Sequence, residues 1–302
     1  MLPFARVSII GLGLIGSSLA RAVRATMPTV ALTGTDSDAG VRARVLELGL
    51  LDDVADTPGA AVVDADLVLL ATPLGAFAEI GAAIAPDLAP GTVVSDTGSA
   101  KQVVLDALAG LLPPHVHLVP AHPVAGTERS GPDAGFPDLF RDRWCILTPP
   151  PGADAAAVAR VAEFWSRLGS RVEIMEARHH DLVLAVTSHI PHLIAYSIVG
   201  TAADLEGVTR GEVIKYSAGG FRDFTRIAAS DPTMWRDVFL TNRDAVLEVL
   251  GRVSEDLSAL QRAIRWGDGD TLFQRFASSR DIRRAIIEAG QDTAETDFGR
   301  RA

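Results

Sequence analysis

At 302 residues the chain is long enough to bury a substantial core and to form two domains, which excludes a small peptide scaffold. Its 28 basic and 38 acidic side chains leave a formal charge of −10, which disfavours non-specific attraction to nucleic acid or to an anionic membrane. An anionic small substrate would therefore need local arginines to hold it. The single cysteine, Cys145, excludes an internal disulfide. The apolar N-terminal stretch reaches Gly11 too soon for a signal peptide, and no uninterrupted apolar run reaches the ~18 to 20 residues of a membrane span, so a soluble cytoplasmic protein is expected.

In chain order, Arg6-Val7-Ser8-Ile9-Ile10 has the β-branched, continuously apolar character of a parallel strand buried on both faces. It runs into Gly11-Leu12-Gly13-Leu14-Ile15-Gly16, and Ser17 to Arg24 reads as a helix. In a dinucleotide site Gly11 makes the tight turn, Gly13 lets the pyrophosphate approach and Gly16 packs helix against strand. Leu14 and Ile15 lie between these glycines, at the helix N-terminus whose N–H groups face the phosphates. A second strand, Val30 to Thr35, ends at Asp36, placed where a carboxylate accepts hydrogen bonds from the adenosine ribose. Asp36 favours NAD over NADP, because the additional phosphate of NADP would meet a carboxylate and no arginine follows until Arg42. The other reading of Asp36 is a turn or helix cap, a duty shared with Asp38.

Arg42 to Leu48 reads as helix, and Leu67 to Ala71 as a central strand closing on Thr72-Pro73-Leu74. Ligands of open parallel sheets lie outside the carboxyl ends of strands, so Thr72 and Pro73 either touch the cofactor or form an ordinary turn. The strand Thr92 to Ser95 leads into Asp96-Thr97-Gly98-Ser99-Ala100-Lys101 and a helix to about Leu111. Asp96, Thr97 and Ser99 read as helix caps, with a second reading for Ser99 as a hydrogen-bond partner of substrate or of His122. Val116 to Pro120 is a further strand, delivering Ala121 to Gly131 to the same edge of the sheet. His122 is the candidate catalytic base, since it sits at a strand's carboxyl end, with Pro123 restricting its backbone and Gly126 and Gly131 allowing close approach. Glu128 and Arg129 are within loop reach, a solvated charge pair being their plain reading. His115 and His117 are given no role.

Trp144 to Thr148 reads as a strand, Ala153 to Leu168 as a helix and Arg171 to Met175 as a final strand. From about Glu176 the strand signals stop, dividing a Rossmann-type α/β domain, 1–175, from an all-α helical domain, 176–302. Ala177 to about Thr201 reads as one long helix with Leu182, Val186, Ile190, Leu193 and Ile194 on an apolar side, kinked at Pro191. Ser188, His189 and His192 surround the kink. The histidines are three apart with no glutamate between them, unlike the i, i+4 pair of a zinc peptidase, so no metal is expected. Interior histidines satisfied by neighbours and polar contacts to a ligand remain as readings. In Gly219-Gly220-Phe221-Arg222-Asp223-Phe224-Thr225-Arg226, a guanidinium suits a substrate carboxylate, with Asp223 orienting Arg226 and Arg222 taken as structural. Asp231 and Pro232 read as N-cap and first residue of a helix to about Val253. Two more helices, about Glu255 to Arg265 and Asp270 to Ala289, carry apolar faces that suggest a symmetric dimer.

From roughly Val7 to Leu250 these stretches, with Ser188-His189-Ile190-Pro191-His192 and His122-Pro123-Val124-Ala125-Gly126-Thr127-Glu128 among the most specific, resemble the prephenate dehydrogenase family. Its members oxidatively decarboxylate prephenate or its amino analogue arogenate in tyrosine biosynthesis, and relatives in antibiotic pathways use a 4-amino-4-deoxy analogue. The resemblance implies that His122 is the catalytic histidine bonding the ring hydroxyl and that Ser99 assists it. By the same resemblance Arg226 binds the substrate carboxylate, Glu128, His189 and His192 line the pocket, NAD is the cofactor and a homodimer forms through the helical domain. The same fold also hosts hydroxyacid dehydrogenases with a lysine base, for which Lys215 is the one candidate in the helical half, and cofactor-binding sensors without catalysis.

Overall fold

The computed structural model describes residues 2–127, 129–204, 212, 215 and 219–288. Strands β1 (Arg6–Ile10), β2 (Ala31–Thr35), β3 (Asp53–Val54), β4 (Leu67–Leu70), β5 (Val93–Asp96) and β6 (His117–Leu118) form one parallel sheet in the order β3-β2-β1-β4-β5-β6. Helices α1 (Leu14–Thr26), α2 (Ala39–Glu47), α3 (Pro58–Val62), α4 (Phe77–Ile84) and α5 (Gln102–Leu108) connect them. β4 shows why the strand is apolar throughout: Leu67 and Leu69 enter the core with Leu19, Phe164 and Trp165, while Val68 and Leu70 enter the opposite core with Phe77, Ile84 and Val104. Strand order reverses between β1 and β4, the switch point at which an open α/β sheet leaves a crevice for ligand.

The His122 stretch reaches the carboxyl edge of this sheet, as expected, and there joins a second sheet. β6 has two residues, and beyond Pro120, which has no amide donor to extend the ladder, the chain enters a second sheet of β7 (Ala121–Pro123), β8 (Trp144–Leu147) and β9 (Arg171–Ile174). β7 pairs antiparallel with β8, and β8 parallel with β9, with α6 (Ala155–Arg167) as the crossover.

Beyond β9 the chain is helical. α7 (Ala177–Leu184), a π turn (Ala185–His189) and α8 (Ile190–Asp204) form an unbroken 28-residue helix. The irregularity precedes Pro191: the widened turn leaves room where the proline ring would otherwise crowd a carbonyl one turn earlier. Of the apolar side expected from the sequence Ile190 is buried and Leu182, Leu193 and Ile194 are half-buried, and the inward face is shared with polar residues. Val186 is 53% exposed, whereas His180, Asp181 and His189 are buried. By length and composition the 28-residue helix is apolar enough to cross a membrane, its most apolar 18-residue window having a mean hydropathy of 1.6, a property its interspersed histidines hide from a search for uninterrupted runs. Its inward polar residues His180 and Asp181 are hydrogen-bonded to α5 and β7, which docks the first half of the helix on the α/β part.

After the helix Gly219–Thr225, Asp231 caps the helix Pro232–Thr241 as expected, accepting from the Met234 amide at 2.8 Å. This helix stops at Asn242 instead of reaching Val253, and the helix Arg243–Trp266 runs through the expected break at Ser254. The Asn242 side chain is committed to buried contacts described below. The chain divides into two compact units, 1–246 and 247–302. In the second, the helix Gly269–Ile286 follows, and an Arg275–Asp256 ion pair of 2.9 Å ties it to the preceding helix.

Candidate active site

The glycine turn is shaped by sterics. Gly11 has φ +93°, and a Cβ on it would lie 2.6 Å from the Ala71 carbonyl oxygen; one on Gly16 would lie 1.9 Å from the Gly11 carbonyl oxygen. A Cβ on Gly13 would meet nothing within 4 Å, and Gly13 caps α1 without a side-chain hydrogen bond. The first amides of α1, at Leu14 and Ile15, therefore adjoin open space suited to a pyrophosphate. Asp36 accepts from the Leu12 amide at 2.8 Å and the Asp38 amide at 3.0 Å, so it serves the turn while keeping carboxylate lone pairs for a ribose. At the end of β4 the Thr72 hydroxyl is buried without a protein partner, beside the exposed Pro73. An open cradle and an orphaned hydroxyl beside it fit a dinucleotide.

Beyond the crevice lies a buried polar cluster. His122 on β7 is 7% exposed, and its Nδ1 is 2.8 Å from Nε2 of His180 on α7. Nδ1 of His180 is 2.9 Å from Oδ1 of Asp181. Asp181 also accepts from the backbone amides of Lys101 at 2.7 Å and Gln102 at 2.9 Å, capping α5 from another helix. Asp96 and Ser99 therefore do not cap α5, which corrects the local cap reading. Asp96 is fully buried and paired with the equally buried Lys101 ammonium. Lys101 Nζ donates to the Ala121 carbonyl at 2.7 Å, and Asp96 accepts from the Ala121 amide at 3.1 Å. This ion pair satisfies the edge of β7 that faces away from β8 and so fixes the residue preceding His122. Burial pushes the Asp96 carboxyl up and the Lys101 ammonium down, each opposed by the other's charge.

His122 is held well below the ordinary histidine range by burial, then by His180 and Lys101. Burial likewise lowers His180, against the pull of Asp181, and brings His189 down to about 4. The Asn242 amide nitrogen is 2.8 Å from the Asp181 carbonyl oxygen and 3.0 Å from His189 Nδ1. His192 stacks on Trp235 with ring centroids 3.6 Å apart, and His189 meets the same indole edge-on at 6.0 Å. Burial lowers His192 too, and the Arg226 charge adds to the effect, bringing the expected substrate arginine to the histidine wall.

The fold thus gathers His122 and His189 with Ser99, whose backbone adjoins His189. Ser99 makes no hydrogen bond to His122; the imidazole of His180 takes that place. Arg222 forms an exposed ion pair with Asp223 at 3.9 Å, matching its structural reading. Glu128 lies outside the described residues. Sequence reasoning missed His180, Asp181, Lys101, Asn242 and Trp235. One signal was available: Lys101 and Lys215 are the only lysines among 28 basic residues, which singles out Lys101.

Residues 19–174 match the nucleotide-binding domain of prephenate dehydrogenase, and residues 176–278 match its dimerization domain. The chain belongs to the prephenate dehydrogenase family. Within that family it is 46% identical over 286 residues to the cyclohexadienyl dehydrogenase of Zymomonas mobilis, covering 95% of this chain and 97% of that one. It is 33% identical to the prephenate dehydrogenase of Bacillus subtilis, covering 93% and 76% respectively. The crystal structure of the Aquifex aeolicus prephenate dehydrogenase with hydroxyphenyl propionate and NAD+ superposes with a TM-score of 0.84 at 31% identity, covering 95% of this chain and 98% of that one. As a member of the prephenate dehydrogenase family the chain is an oxidoreductase with NAD as its cofactor.

Proposed function

We propose that this dehydrogenase oxidatively decarboxylates prephenate to 4-hydroxyphenylpyruvate. The observation that carries the reading is His122: an imidazole neutral at pH 7, buried behind the dinucleotide crevice, whose Nδ1 is bonded and whose Nε2 meets no described protein group. NAD, when bound at Gly11, Gly13, Leu14, Ile15, Gly16 and Asp36, supplies the hydride acceptor. His122 Nε2 takes the proton of the ring C4 hydroxyl as C4 is oxidised, and loss of CO2 from C1 aromatises the ring. Arg226 pairs with a substrate carboxylate, and His189, His192 and Ser99 line the pocket. Aromatisation supplies much of the driving force, so the chain's task is to position the substrate and remove one proton.

Arogenate is the second reading, favoured by the resemblance to a cyclohexadienyl dehydrogenase, a name broad enough for both compounds. Division of labour near residue 175 is supported by the two family matches that meet there. The match to a dimerization domain, together with exposed Leu257, Ile264, Phe273, Phe276 and Ile282, supports a homodimer through the helical part. A cytoplasmic location agrees with the free, buried thiol of Cys145.

The test is formation of reduced nicotinamide by the purified protein with NAD or NADP and prephenate, arogenate or 4-amino-4-deoxyprephenate. NAD-dependent turnover of prephenate is expected. Turnover of arogenate alone transfers the assignment to the second reading, and turnover of none of the three overturns it.

A further inference from the structure

We propose that His180 and Asp181 are positioning residues for His122: they hold it in the tautomer whose Nε2 lone pair is free, and His180 receives its Nδ1 proton when Nε2 is protonated. The argument begins at Asp181. Its carboxylate accepts from two backbone amides at the start of α5 and can only accept from a ring nitrogen, so Nδ1 of His180, 2.9 Å away, carries the hydrogen. A neutral imidazole protonated on Nδ1 has its lone pair on Nε2. That nitrogen is 2.8 Å from Nδ1 of His122, which must therefore donate, leaving Nε2 of His122 bare. No other hydrogen pattern among neutral rings satisfies both contacts.

Proton balance follows the same line. The substrate hydroxyl proton bonds to Nε2 of His122; the Nδ1–H bond of His122 breaks and its proton bonds to Nε2 of His180. The positive charge then rests on His180 against the Asp181 carboxylate, and no further reactant is needed. The groups facing this chain favour that placement. The Lys101 ammonium opposes a cation on either ring, but Asp181 and Asp96 both favour one on His180, with His189 near on the π turn and the neutral Cys145 thiol on β8. Asp181 is bonded directly to His180, and among the described residues no carboxylate is bonded to His122.

The proposal rests on His122 being the base, but its decisive measurement does not need a substrate. Nitrogen-15 NMR of the His122 ring in the intact protein is expected to show the Nδ1–H tautomer, changing to Nε2–H in His180→Phe. His180→Gln offers a carbonyl acceptor but cannot take up a proton. It is expected to keep the Nδ1–H tautomer, to lose roughly 10²-fold in kcat with the prephenate KM within about threefold, and to move the acid limb of kcat/KM to lower pH. An Nε2–H tautomer in the unmodified protein, an unchanged tautomer in His180→Phe, or a His180→Gln enzyme with unaltered kcat and pH profile overturns the proposal. Should His180→Phe not fold, the unmodified protein and His180→Gln decide it. If the unmodified protein turns over none of the substrates, the functional assignment fails, while the tautomer measurement still judges the relay.

Discussion

His122, His180, His189 and His192 are all kept below the ordinary histidine range with burial as the leading cause, so each is neutral where the enzyme works. In the unfolded chain these rings titrate near 6.5, and between that value and their folded values only the unfolded state binds the protons. Stability is therefore complete above 6.5 and declines as pH falls, for His189 down to about 4, which at ~1.4 kcal/mol per pH unit is on the order of 3 kcal/mol. Thermal melts at about pH 7 and about pH 5 should show a clear drop in Tm, and equal values would contradict neutral burial. At the same scale, His122→Asn should lose about 10²- to 10⁴-fold in turnover while titration with NAD gives an unchanged Kd. His122 was legible in the sequence because an extended X-Pro step at a strand end advertises a site. His180 and Asp181 were not, because a His-Asp pair on a helix reads as solvated until the partner elements are known.

At the scale of elements, the three glycines of the first turn separate into different duties. Gly16→Ala collides with backbone and should lower Tm or prevent folding, whereas Gly13→Ala meets no protein atom and should leave Tm unchanged while weakening NAD binding in calorimetry. A Gly13→Ala protein that binds NAD normally would argue against a pyrophosphate above that residue. Asn242→Ala strands the buried His189 Nδ1 and removes one of the two donors to the Asp181 carbonyl, which keeps the Ala185 amide, and should destabilise by about 1 to 3 kcal/mol in denaturant titrations. The long parallel strands were readable, since β1 and β4 are apolar on both faces. β3 and β6, of two residues each, carry no period to read, and the second sheet is a matter of tertiary pairing between β7 and β8. In α7 and α8 an apolar side was present in the sequence, but the inward face that Ile190 and Leu184 share also takes in His180 and Asp181, because these complete hydrogen bonds to α5 and β7.

At the scale of the molecule, the apolar side chains left exposed on the last two helices ask for a covering surface. Replacing Phe273 and Phe276, 71% and 58% exposed, by Asp should leave a folded chain whose mass by light scattering falls from dimer to monomer. An unaltered mass would place the dimer contact elsewhere. The scarcity of lysine has a consequence for the chain as a whole. Amine-directed acylation of the native protein can reach the exposed Lys215, but Lys101 is sealed at 0% exposure beneath the base. Covalent tagging at Lys101 would thus register openings of the active site one molecule at a time, a molecular clock that needs no engineered probe.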